Sequence, residues 1–417
     1  MKVNKRKAIP YPYILLVFLC FLSLPGLLSN IGLASSHAAG MTLSIMPLAL
    51  IALITRDWMP FTKYEFQICL CVLFLILIHF LLAALVGGVD NYIGSVALSR
   101  FTSSFMLLTM ILWSAFQLER YLSALEQKKF ARMVDTIYWL FALMAVLSIP
   151  FHILDWVSRK QMFIFSEPSH FALAFAPFFL YKMLASQNRY KHLFLCLSLA
   201  ILLENVTLVV VALLGIIISV KRYGVMQVMG VISLIGILAS FAIYFGDVFT
   251  FFLERTVLSA DSENLSVLLF LSGYERAYLT FLDSYTLGVG FQQMGIIGPL
   301  GELQVAIKAL TNGYTMNILD GGSLFSKLTT EFGILGIFLV LAYVANAIRV
   351  FRSSRSLSSG HSRELFYIAS FLSLSILIFI RSVNYFSPSC FIVLIALVGL
   401  WRLNRQRTRY TKEYSLV

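Results

Sequence analysis

Residues 193–220 read LFLCLSLAILLENVTLVVVALLGIIISV, an apolar run broken once, at Glu204-Asn205. As one helix the run is too long for a single bilayer crossing, which takes about 20 residues. As two short helices joined by a tight turn at Glu204, it makes two crossings and keeps the loops on either side in phase. That phase is written in the basic residues. Lys and Arg crowd into alternate loops, the pattern that orients membrane proteins with their basic loops in the cytoplasm.

Hydrophobic residues make up 59% of the 417 and charged residues only 12%, and the mean hydropathy is +0.85. A soluble core of this size would need far more polar surface, so the chain is an all-α integral membrane protein. Twelve spans are predicted: 12–34, 38–55, 66–86, 97–117, 134–153, 169–185, 192–203, 206–220, 225–245, 328–348, 365–381 and 387–402. Residues 1–245 hold the first nine, 246–325 form one long external loop, and 326–417 hold the last three and a basic tail, all within one membrane domain. Short amphipathic helices are predicted in the loop around Leu265–Asp283 and Gly301–Leu310.

With both termini in the cytoplasm, 24 of the 32 basic residues fall inside and 8 outside, whereas 13 acidic residues fall outside and 7 inside. The eight outside are Arg100, Arg159, Lys160, Arg255, Arg276, Lys308, Lys327 and Arg381. The net charge of +12 is therefore an orientation signal and an attraction to anionic headgroups. It is not a nucleic-acid footprint, because no basic patch is concentrated in a soluble domain. The basic start, apolar stretch and Ser36-His37-Ala38 could be read as a signal peptide, but the apolar run is long for one and another span follows at once.

The five cysteines lie in or beside spans and none lies in the long loop, so no disulfide framework is implied. Cys69 and Cys71 face different ways on a helix, which argues against a metal site. The histidines outside the sixth span show no ligand spacing, and no Asp-x-Asp pair occurs outside to hold a metal-bound sugar nucleotide. The cytoplasmic loops lack a Gly-rich phosphate loop, and no internal repeat marks the chain as a transporter built from matching halves. Neither a metal nor a cofactor is predicted.

Chemistry concentrates in four places. Ser166-Glu167-Pro168-Ser169-His170 opens the sixth span, where Pro suits the first turn and Glu167 lies by the positive helix end. Glu167 and His170 there can serve as base and orienting group for a hydroxyl, or merely cap the helix. Tyr274 and Arg276 lie in Gly273-Tyr274-Glu275-Arg276, followed by Gly288 and Gly290 in Leu287-Gly288-Val289-Gly290-Phe291. Arg276 presents a fork that matches phosphate oxygens, or else pairs with a loop acid. Arg381 ends the eleventh span and Arg100 opens the fourth, at a depth where charges face a cavity or partner or else snorkel to headgroups. Three arginines meeting outside would clamp a diphosphate; the sequence does not show that they meet.

These residues resemble the Wzy-type O-antigen and exopolysaccharide repeat-unit polymerases, which share a superfamily with the O-antigen ligases. The resemblance rests on the Ser166–His170 stretch, on Arg276 with Leu287-Gly288-Val289-Gly290, on Leu328-Thr329-Thr330-Glu331-Phe332-Gly333-Ile334-Leu335-Gly336, and on Arg381 with Tyr385. It implies a GT-C-like, metal-independent, inverting glycosyltransferase in a bacterial inner membrane. Such an enzyme moves a growing glycan from undecaprenyl diphosphate onto a new lipid-linked repeat unit at the outer face, sometimes beside a chain-length regulator. Glu167 and His170 would be catalytic, Arg276, Arg381 and Arg100 would bind the diphosphate, and Tyr274, Gly288, Gly290 and Tyr385 would support them. The ligases typically place a functional His in the long loop; none occurs here between His192 and His361, which favours a polymerase. A ligase, a lipid-linked sugar flippase and a non-enzymatic scaffold are the competing readings.

Overall fold

The computed structural model describes residues 10–414 apart from 35, 59, 94–95, 154–161, 163, 220–257, 261, 263 and 359. The expected span 225–245, the loop start 246–257, and the basic residues Lys2, Lys5, Arg6, Lys7, Arg159, Lys160, Lys221, Arg222 and Arg255 lie outside the described residues. All regular structure among the described residues is helical.

The helices are α1 (Tyr11–Asn30), α2 (His37–Thr55), α3 (Lys63–Gly87), the short α4 (Val89–Ile93), α5 (Val96–Ala124), α6 (Gln127–Ile153), α7 (Pro168–Ala185), α8 (Arg189–Leu202) and α9 (Val206–Ser219). After them come α10 (Leu265–Asp283), α11 (Glu302–Leu310), α12 (Leu324–Phe332), α13 (Ile334–Ser354), α14 (Ser362–Phe379) and α15 (Pro388–Tyr414). Eight of them, α1, α2, α3, α5, α6, α13, α14 and α15, are long and apolar enough to cross a membrane.

The apolar run 193–220 breaks where its polar pair stands. Glu204 adopts a left-handed φ of 46°, and Asn205 ties the next turn by accepting from Leu208 N at 3.2 Å while donating to Pro168 O at 2.6 Å. The resulting α8 and α9 have 14 residues each, about 21 Å long and short of the roughly 30 Å of a hydrocarbon core. They pack on each other and on α7. That helix is apolar all round, and it is buried along nearly its whole length between α9 and α14.

The expected span 328–348 is corrected by the structure: the chain breaks at Gly333, and only α13 continues as the long helix. Gly333 has φ +55°, and a Cβ there would lie 1.9 Å from Thr286 O. Ile334 N donates to that same carbonyl at 2.8 Å. A segment of the long loop is thus pressed into the break, which only glycine leaves open. The detached α12 stays with the loop.

Ion pairs gather at one end of the bundle. Arg402 of α15 donates to Glu65 of α3 at 2.8 Å and to Glu119 of α5, while Glu65 also closes a capping box with Thr62. Arg120–Asp57 at 3.0 Å, Lys182–Asp135 at 2.5 Å and Arg407–Glu364 at 2.6 Å lie at the same end. The long loop, with α10 to α12, covers the opposite end. The predicted helices at 265–283 and around 301–310 are both present; Glu275 of α10 caps α11 by accepting from Glu302 N and Leu303 N at 2.8 and 2.9 Å.

Candidate functional site

At the loop end the start of α7 meets the end of α14. Arg381 Nη2 donates to Glu167 Oε2 at 2.9 Å, and Ser169 Oγ donates to the same oxygen at 2.9 Å. Glu167 stands at the N-cap position of α7 without making a side-chain cap hydrogen bond, so its carboxylate is turned to Arg381. One turn on, His170 Nδ1 shares a 2.7 Å hydrogen bond with Ser166 Oγ, and its ring packs edge-on to His37 at 5.3 Å. A cavity of about 20 Å³ opens between His37, His170, Gly26, Phe165, Val383 and Ser387. It has room for about one water molecule, not a sugar.

A second group of charges adjoins the first. Lys327 and Glu331 stand one turn apart on α12, both fully buried, with Nζ 3.3 Å from Glu331 Oε1. Lys327 also donates to Leu319 O and lies 5.2 Å over the Tyr385 ring. The Tyr385 hydroxyl is buried beside the Glu331 carboxylate. Tyr385 stacks on Phe291, 5.8 Å between ring centres.

Asp320 links the groups. Burial raises its carboxyl above the ordinary range; Lys327, Arg100 and Arg381 pull it back down, and Glu331 pushes it up again. Ser382, next to Arg381, donates its N–H to Gly322 O at 2.9 Å, two residues past Asp320, and Arg100 is close enough to lower the same carboxyl. Arg100 also donates to Gln292 Oε1 at 3.3 Å.

Arg276 of α10 lies under the long loop. Its Nη1 donates to Ile318 O at 2.6 Å and its Nη2 reaches Leu300 O at 3.5 Å, with no ion pair to a loop acid among the described residues. Burial lowers its pKa from the ordinary value, while the nearby Glu275 opposes that shift. In this arrangement Arg276 braces the loop. Tyr274 stacks against Phe325 at 5.8 Å, a packing contact under the same loop.

Gly288 and Gly290 hold the loop against α12. Val289 N and Gly290 N donate to Thr330 O and Glu331 O at 3.0 and 2.8 Å, and a Cβ on Gly288 would lie 2.6 Å from Glu331 O. His79 and Tyr92 grip the other side, through Leu287 O at 3.0 Å and Val289 O at 2.9 Å.

Asp320, Lys327 and Glu331 have no counterpart among the site residues read from the sequence. The available signal was a Lys and a Glu at i, i+4 heading an apolar helix, a spacing that ordinarily marks an exposed ion pair. Among protein-family models, curated proteins and solved structures, none matches the chain.

Proposed function

We propose that the chain is a repeat-unit polymerase of the Wzy type, joining undecaprenyl-diphosphate-linked oligosaccharides by inverting, metal-independent transfer. The observation that carries this reading is the Arg381–Glu167 pair at the junction of α14 and α7, 2.9 Å apart beneath the long loop, with Arg100 also near enough to lower the Asp320 carboxyl on which Arg381 acts. Two guanidiniums acting on the same neighbourhood suit the charge that develops on a diphosphate leaving group. Glu167 aims Arg381, Arg276 braces the loop, and His170 lies behind them with Ser166. Deleting the gene is expected to leave a surface glycan capped by a single repeat unit. Loss of every unit would instead assign a ligase or flippase, and an unchanged glycan a scaffold.

The orientation we propose sets the loop end outside the inner membrane and both termini in the cytoplasm. In it α7, the α8–α9 pair and residues 225–245 bring the crossings to twelve, in a GT-C-like arrangement. The basic-residue bias of 24 to 8 supports it. Alkaline phosphatase fused near Asn312 should be active and fused near Ser358 inactive. The reverse pattern would place the arginines on the cytoplasmic side and sink the reading.

A further inference from the structure

The segment 318–322 is held by donors from Arg276, Lys327, Ser326 and Ser382. Arg276 Nη1 takes Ile318 O at 2.6 Å, Lys327 Nζ takes Leu319 O, Ser326 Oγ takes Gly321 O at 2.5 Å and Ser382 N takes Gly322 O at 2.9 Å. Gly321 and Gly322, with φ +65° and +70°, fold the segment tightly. Gly273 of α10 lets it lie close, since a Cβ there would sit 1.9 Å from Gly321 O. These ties fix the backbone on both sides of Asp320. The Asp320 side chain is half-buried, and no hydrogen bond to its carboxyl is found among the described residues.

The other acids and the histidine of the site are committed or enclosed. Glu167 is bound by Arg381 and Ser169. Glu331 has no exposed surface. His170 is tied to Ser166 and faces a cavity too small for a sugar.

Resting on the polymerase reading, we propose that Asp320 is the general base of the transfer, taking the proton of the acceptor hydroxyl while Arg100 and Arg381 face the departing diphosphate. The acceptor oxygen bonds to the anomeric carbon of the donor as the bond from that carbon to the diphosphate oxygen breaks. The hydroxyl proton passes to an Asp320 oxygen, and the electron pair leaves on the diphosphate. Asp320 then returns its proton to water. Burial favours the protonated form that this step creates, and a diphosphate on the two arginines favours it further by adding negative charge nearby.

The test uses the full-length protein in its own cells, with the glycan ladder and protein abundance read for the gene deletion, the wild type, Asp320→Asn and Asp320→Glu. Each purified protein is also titrated in detergent with geranylgeranyl diphosphate. Asp320→Asn should cut polymerisation by about 10²–10⁴-fold at normal abundance, and should bind the diphosphate probe at least as tightly as wild type, because an internal anion has been removed from the arginines. Asp320→Glu, which keeps the carboxylate on a longer arm, should retain measurable polymer. Normal chains in Asp320→Asn would overturn the proposal. So would lost chains together with lost probe binding, which would assign Asp320 to holding the cations in place. Failure of the polymerase reading itself shows separately, as an unchanged ladder or the loss of every repeat unit in the deletion strain.

Discussion

Cells carrying Arg381→Lys should build a glycan that stops at a single repeat unit, with the protein present at its normal level. Lys keeps a charge at the end of α14 but loses the two-pronged fork, so it cannot hold Glu167 and meet a diphosphate oxygen together. Removing one pre-aimed donor from a developing oxyanion costs about 2.7–4 kcal/mol, a loss of 10²–10³ in rate, and Arg381→Ala should do no better. Stability should change little. The Arg381 side chain is 19% exposed, but its partner Glu167 is 39% exposed and can be rehydrated when the arginine is lost, which keeps the cost of opening the pair to about 1 kcal/mol. Glu167→Gln separates two roles. As an aiming residue it should keep part of the activity, because the amide oxygen still accepts from Arg381; as the base it should be as inactive as Arg381→Ala. Polymer of normal length in Arg381→Ala would remove the arginine from the site.

At the other end of the bundle the effect should be on abundance. Arg402→Ala strands Glu65 and Glu119, whose side chains are 3% and 2% exposed. Breaking a buried ion pair by deleting one partner costs about 3–5 kcal/mol, against a total stability of roughly 5–15 kcal/mol. The protein should be depleted severalfold in membranes and unfold at lower temperature in detergent. Combining Arg402→Met with Glu65→Gln and Glu119→Gln should recover most of the loss. No buried charge then remains, and Gln at position 65 can still complete the capping box with Thr62. If the triple variant is as depleted as Arg402→Ala, the node acts through shape and not through charge.

The parts of this fold that could be read in the sequence are those set locally. The break at Glu204-Asn205 and the extent of α10 follow from polar residues interrupting or flanking an apolar pattern. The break at Gly333 does not. Leu328 to Ile348 is apolar apart from Thr329, Thr330, Glu331, two glycines and Asn346, and Gly333 matters only because the Thr286 carbonyl arrives against it. The site divides in the same way. Glu167 and Arg381 stand out as charges at the ends of apolar helices. Asp320 looks like any loop acid until the fold carries Arg100, Lys327 and Arg381 to it. Nor could the sequence show what Arg276 meets in the fold, where its Nη1 donates to Ile318 O at 2.6 Å.

The spacing of Lys327 and Glu331 bears on how the protein is assembled in a membrane. Lying one turn apart on α12, the two charges come together when that helix forms, ahead of any tertiary contact. What is later sealed beneath the loop is then a compensated dipole and not two separate ions, each of which would cost several kcal/mol to dehydrate. Seating the segment need not wait for a distant partner to arrive. The Arg402 node has no such shortcut, because its three members come from α3, α5 and α15. Its carboxylates stay unmatched until α15, whose Arg402 follows Glu65 by 337 residues and Glu119 by 283, has been made and docked.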